Sequence, residues 1–208
     1  MSTKRLPAAQ RKKQILKSAI RVFARSTYHG ATTKGISEEA GVTEALIYRY
    51  FGSKRQLFTE AIKHTASRLI VGIEEILDEG QDHPVETITA CVNFYVHILE
   101  THQELAKMIF LVLAELDEED IREAYLPYQK RALTLLTSSI ERWQNDGIVG
   151  PDLDPEATAW LFFGTYMILA LVKQSMGAVA MDSSYAVGLV KPFLTPEGLS
   201  RIESHSRG

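Results

Sequence analysis

A single cysteine, Cys91, stands among 208 residues, so no intrachain disulfide is possible and no cysteine cluster can hold a metal. Cys91 lies in an apolar helical pattern and reads as a small core residue rather than a redox sensor. G-x-S-x-G, a glycine-rich phosphate loop and H-E-x-x-H are also missing, and His97 and His102 are five apart, on different helical faces. We therefore expect no enzyme, no cofactor and no metal. No segment alternates with period two for long enough to build a sheet, which leaves an all-α fold. The start, MSTKRLPAAQRKK, is polar and basic with no apolar run behind it, so no signal peptide is expected. The longest apolar run, 157–172, falls short of a membrane span and contains Thr158, Gly164, Thr165 and Tyr166; a buried helix of a soluble, cytoplasmic protein is the expectation.

With 45% apolar and 24% charged residues the chain can bury a real core. Its net charge of −3 conceals a polarity: of 23 Lys+Arg and 26 Asp+Glu, residues 1–68 hold 14 and 4, leaving 9 and 22 beyond. The front third is thus +10 and the remainder −13. A phosphate backbone attracts the first and repels the second, so nucleic acid would dock at the N-terminal end, with affinity falling steeply with salt.

Helical periodicity dominates. Residues 9–26 place Ile15, Ala19, Val22 and Phe23 on one side, with Arg11, Lys13, Lys17, Arg21 and Arg25 largely elsewhere and able to reach phosphates. Gly52 breaks the chain, Ser53 can cap a helix to about residue 77, and its apolar stripe is sustained over a length that would connect two regions. Further helices are expected over 84–101, 103–116, a segment after residue 120 that Pro127 should kink or interrupt, 155–176, and 184–191. From Thr195 the tail should fray.

The stretch 33–58, TKGISEEAGVTEALIYRYFGSKRQLF, holds a short helix, a glycine turn, a second short helix and a basic helix start. Thr33 can cap the first, whose inward side is Ile36 and Ala40; Gly41 ends it, and Val42 supplies the apolar contact of such an exit. Thr43 can cap the second, 44–51, which buries Ile47 and Phe51 and leaves Glu44, Ala45, Tyr48 and Arg49 outside. Two helices joined by so short a turn form a helix-turn-helix, whose second helix enters the major groove.

Over residues 11–60 the chain resembles the tetracycline-repressor (TetR) family of bacterial transcriptional regulators, at Phe23, Gly30, Thr32, Thr33, Ile36, Ala40, Gly41, Val42, Tyr48, Tyr50, Phe51, Lys54 and Leu57. The resemblance implies a three-helix DNA-binding domain over 1–52 and a helical ligand-binding and dimerisation domain over 53–208, with 53–77 as connecting helix. It implies that Thr33 and Lys34 meet phosphate or a base edge, that Thr43, Glu44 and Ala45 lead into the groove, and that Tyr48, Tyr50 and Lys54 clamp the backbone. Arg49 faces phosphate or a neighbouring acid. Glu44 can accept from a cytosine amino group or simply favour its helix dipole, and Ala45 can touch a thymine methyl. Leu46 stands where the family often has a small polar residue, and an alkyl side chain makes no hydrogen bond to a base.

One helix-turn-helix contacts few base pairs, so a homodimer reading two half-sites of double-stranded operator DNA is expected. The helix around 157–172, apolar on all sides, is the candidate interface, completed by Val187, Leu189 and Val190. The resemblance also implies a small-molecule pocket among the C-terminal helices. Candidates for its lining are Phe94, Tyr95, Ile98, Met108, Leu111, Tyr125, Tyr128, Trp143, Trp160, Phe163 and Met167, which suit an apolar or amphipathic effector and could equally be core; His97 is read as a structural histidine. The chain thus reads as a ligand-responsive regulator, a repressor released by its effector. The alternative is a helical module that binds small molecules or protein without sequence-specific DNA binding.

Overall fold

Thr32, Gly41, Gly52, Asp154 and Gly177 mark helix ends in a computed structural model that describes residues 6–80, 83–177 and 188–205, with side chains as far as residue 200. The helices are α1 (Ala8–Gly30), α2 (Thr33–Ala40), α3 (Glu44–Phe51), α4 (Lys54–Glu79), α5 (Pro84–Thr101), α6 (Gln103–Ala114), α7 (Glu119–Asn145), α8 (Pro155–Met176) and, after a 3-10 turn at Lys191–Phe193, α9 (Pro196–His205). Among the described residues there is no strand, only an isolated bridge between Val149 and Leu194.

Local chemistry explains the boundaries. Regular α1 geometry breaks at Thr27 (φ 65°, ψ 172°), whose carbonyl accepts from the Ala31 amide at 3.2 Å. Thr32, not the expected Thr33, caps α2: its backbone is extended and its hydroxyl accepts from the Gly35 amide at 3.0 Å. Thr33 is the first helical residue, which frees its hydroxyl for other partners. Gly41 exits α2 at φ 62°, and the Val42 amide returns to the Ser37 carbonyl at 3.0 Å. Asp154 opens α8 by accepting from the Ala157 amide at 2.7 Å, with Pro155 at the first helical position.

Two expectations need correction. Pro127 does not interrupt its helix: α7, 27 residues long, continues through it. Nor does the tail fray at Thr195. The Thr195 hydroxyl donates to the Gly147 carbonyl at 2.7 Å and accepts from the Gly198 amide at 3.0 Å, so it caps α9. The expected helix over 184–191, with Val187, falls largely outside the described residues.

The chain groups into two compact units, one of residues up to Ser67 with His102–Pro127, the other of Arg68–Thr101 with the residues from Tyr128 onward. In the first, α1 packs on α2 and α6, and the buried centre includes Ile15, Phe23, Ile36, Ile47, Leu57 and Phe58. The Phe23 and Tyr28 rings each lie 4.8 Å from that of Phe58. In the second, α5 packs on α8, the Tyr95 and Tyr166 rings meet edge to face at 5.0 Å, and the tip of Phe94 abuts the α4 backbone at Gly72.

Cys91 is fully buried, near Tyr166. Burial pushes its thiol up to about 12, so it stays protonated at neutral pH and inert as a nucleophile.

Helix α8 divides its apolar residues between two sides: Ala159, Phe162, Leu169 and Ala170 are buried, whereas Trp160, Leu161, Ile168 and Leu171 are exposed. Counted over its full 22 residues it is long and apolar enough to cross a membrane, which the shorter run 157–172 had concealed.

Candidate nucleic-acid interface

Helices α2 and α3 turn their apolar residues inward, Ile36 and Ala40 from one and Ile47 and Phe51 from the other. Outward they leave Lys34, Thr43, Ala45, Tyr48 and Arg49 exposed, Tyr48 by 47%. Thr43 holds the cap position of α3, yet its hydroxyl makes no capping bond and remains open. Tyr50 is half-buried beside Phe51.

Thr33 ties the two helices together at the surface. Its hydroxyl donates to Glu44 Oε2 at 3.1 Å and lies 3.2 Å from Tyr48 Oη. A hydroxyl has one proton. Since that proton goes to the carboxylate, the Tyr48 hydroxyl donates to Thr33 Oγ1. Glu44 is half-buried and accepts from Thr33.

Lys54 is more committed than the sequence implied. Its Nζ donates to the Tyr28 and Ala31 carbonyls at 2.9 and 2.8 Å and lies 4.5 Å from the Tyr28 ring centre. It thereby closes the α1–α2 turn, and of three ammonium protons one is left. The α1 cations divide in the same way. Arg21 and Arg25 pair with Glu39 at 2.8 and 3.2 Å, and Arg21 with its partner Arg25 holds that carboxyl below the ordinary range. Lys12 reaches Glu60 at 3.7 Å. Lys13 and Lys17 are exposed and, among the described residues, in no ion pair. Among the described residues, the exposed cations here that are in no ion pair include Lys13, Lys17, Lys34 and Arg49.

Arg55, one residue beyond Lys54, faces the start of α7. It donates from Nε and Nη2 to both carboxylate oxygens of Asp120 at 2.7 and 2.6 Å, and from Nη2 to Glu118 at 2.9 Å, while its guanidinium lies 5.2 Å from the Tyr28 ring centre. The Asp120 carboxyl is held below its usual range by this pairing. Sequence reading missed this clamp, because its partners lie 65 and 63 residues apart with no local pattern to join them.

The proposed ligand contacts are divided between the units. Met108 is buried, and Leu111 and Tyr125 half-buried, in the first. In the second, Tyr95, Ile98 and Trp143 are buried, while Phe94, Tyr128, Phe163 and Met167 are half-buried. Trp143 closes the end of α7, where its carbonyl accepts from the Ile148 and Val149 amides at 2.9 and 3.1 Å. Trp160 is 46% exposed on the outer side of α8 and so does not line the interior of a single chain. His97 is likewise exposed rather than structural. Tyr166, whose ring meets that of Tyr95, lies among these residues although it was not one of the expected ligand contacts.

Residues 15–61 match the family model described as "Bacterial regulatory proteins, tetR family". The chain is 28% identical over 106 residues to the HTH-type transcriptional activator FasR of Mycolicibacterium smegmatis, covering 51% of this chain but only 48% of that protein. It is 25% identical over 186 residues to the HTH-type transcriptional regulator BetI of Brucella canis, covering 88% of this chain and 89% of that one. In fold it is similar to the transcriptional regulator FadR from Bacillus subtilis in complex with stearoyl-CoA, with a TM-score of 0.71 at 22% identity over 86% of this chain and 95% of that one.

Proposed function

We propose, for a chain that belongs to the tetR family of bacterial regulatory proteins, that its α2–α3 pair reads an operator as one half of a homodimer and that a small apolar or amphipathic effector releases it. The chain is a helix-turn-helix transcriptional regulator. Repression is the direction we assign, with the cytoplasm as its place of action.

The observation that carries this reading is the outward set on α2 and α3. Thr33, Lys34, Thr43, Glu44, Ala45, Tyr48 and Arg49 cluster on short helices whose opposite sides are buried, beside unpaired cations of α1. In their proposed roles Lys34 and Arg49 neutralise phosphates, Thr43 and Ala45 enter the groove, and Tyr50 and the remaining proton of Lys54 complete the backbone contacts. Residues 1–52 form the reading head and 53–208 the regulatory part.

Dimerisation is supported by the outer side of α8. Leu161 (61% exposed), Ile168 and Leu171 recur at helical spacing, an apolar surface that a second copy would cover. Effector binding is assigned to the C-terminal helices of the second unit, with Phe94, Tyr95, Ile98, Tyr128, Trp143, Phe163 and Met167 as contacts; Met108, Leu111 and Tyr125 belong to the first unit and are left out of this assignment. The stearoyl-CoA held by the Bacillus subtilis regulator belongs to the ligand class proposed here. An effector acts only through unequal affinity for two conformations; a coupling of about 1–3 kcal/mol changes operator affinity from several-fold to about a hundredfold. Since α4 and α7 each run from one unit into the other, both are available to carry that coupling.

Titration of labelled duplex with the full-length protein, at two salt concentrations and with acyl-CoA or other amphipathic probes, tests the proposal. Salt-sensitive, sequence-selective binding weakened by a probe supports it. A demonstrated ligand that leaves operator affinity unchanged refutes the regulatory part.

A further inference from the structure

On a surface otherwise suited to a polyanion, Glu44 is a carboxylate with no cation partner among the described residues. Its one hydrogen bond comes from the neutral Thr33 hydroxyl, which in turn accepts from Tyr48. Resting on the operator-reading function proposed above, we infer that Glu44 is a base-selecting residue, held by the Thr33–Tyr48 relay as an acceptor for the amino group of a cytosine in the major groove.

A negative charge brought against phosphate is repelled, so Glu44 weakens binding wherever it meets only backbone. It becomes favourable against a donor. In the major groove the exocyclic amino groups of cytosine and adenine are the donors, and adenine carries beside its own an N7 acceptor that a carboxylate cannot satisfy. Guanine and thymine present acceptors that a carboxylate repels. The relay orients the carboxylate: Oε2 accepts from Thr33, and Oε1, with no such bond among the described residues, is offered to the base. An oriented acceptor discriminates; a freely rotating one on an eight-residue helix accommodates several edges. Tyr48 and Thr33 are thus positioning residues, whereas Glu44 touches the base.

Selection of duplexes from a random pool by the full-length protein tests this. The wild type is expected to enrich cytosine at one position of each half-site. Glu44→Ala should relax that position alone, lowering discrimination roughly ten- to a hundredfold. Glu44→Gln should exchange cytosine for adenine, whose amino group and N7 match a carboxamide. Thr33→Val should weaken the same preference, and Thr33→Ser, which keeps the hydroxyl, should restore it. A residue that merely favoured the dipole of α3 would instead weaken all positions together.

Unchanged base preferences in both Glu44 variants overturn the inference while leaving the operator-reading function standing. Failure of the wild type to enrich any sequence overturns that function first.

Discussion

Replacing Gly72 by alanine sets two effects of known sign against each other. A Cβ built at Gly72 would stand 2.2 Å from Phe94 Cζ and 2.8 Å from both Cε atoms, far inside van der Waals contact. Forcing a methyl into such a site costs about 1–3 kcal/mol, whereas glycine to alanine inside a helix returns about 1 kcal/mol. The net expectation for Gly72→Ala is a loss of about 0–2 kcal/mol. In a domain of this size each kcal/mol corresponds to a fall in Tm of roughly 2–4 °C. The sharper test is a double-mutant cycle read by urea denaturation. With Phe94→Leu the ring tip is gone and Gly72→Ala should become stabilising by up to about 1 kcal/mol, giving a coupling of about 1–3 kcal/mol between the sites. Equal stabilisation by alanine in both backgrounds would refute the seating of Phe94 on the α4 backbone.

Acid should loosen the first unit. The Asp120 and Glu39 carboxyls are held down by Arg55 and by Arg21, so their folded values lie below the unfolded ones. Their stabilisation is present above the unfolded carboxyl range near about pH 4 and is lost as pH falls through the folded values; Asp120→Asn should flatten the corresponding fall in urea midpoint. Leu161→Glu with Ile168→Glu places charge on the exposed side of α8, and sedimentation should then find a single 23.3 kDa chain where the wild type sediments as twice that mass. A wild type already monomeric at micromolar concentration would remove the dimer. Thr195→Ala deletes the cap of α9 and the bond to Gly147, and a loss of about 1–2 kcal/mol, with faster amide exchange in 196–205, is expected.

Short-range chemistry made much of this fold legible. Gly41, Gly52 and Asp154-Pro155 announce helix ends by backbone freedom and side-chain capping, and the structure uses each as such. The start of α9 carried the same signal in Thr195-Pro196-Glu197, a cap, a first-turn proline and an acid, which its place near the end of the chain obscured. Thr32 and Thr33 could not be told apart as caps, because adjacent threonines differ only in backbone angle. Side-chain commitments were the least legible. The sequence shows that Lys54, Arg55, Arg21 and Arg25 are basic but not that two of them grip Glu39, one grips Asp120 and one closes a turn, since the partners come from α1, α2, α4 and α7 and are brought together only by packing. The outward set of α2 and α3 was readable because periodicity assigns faces.

The most direct measurement is hydroxyl-radical footprinting of the full-length protein on a duplex recovered by selection. Two protected half-sites, centred one helical turn or a multiple of about 34 Å apart and lost progressively as salt is raised, are predicted. Uniform weak protection without enrichment of any sequence would contradict the claim that α2 and α3 read DNA.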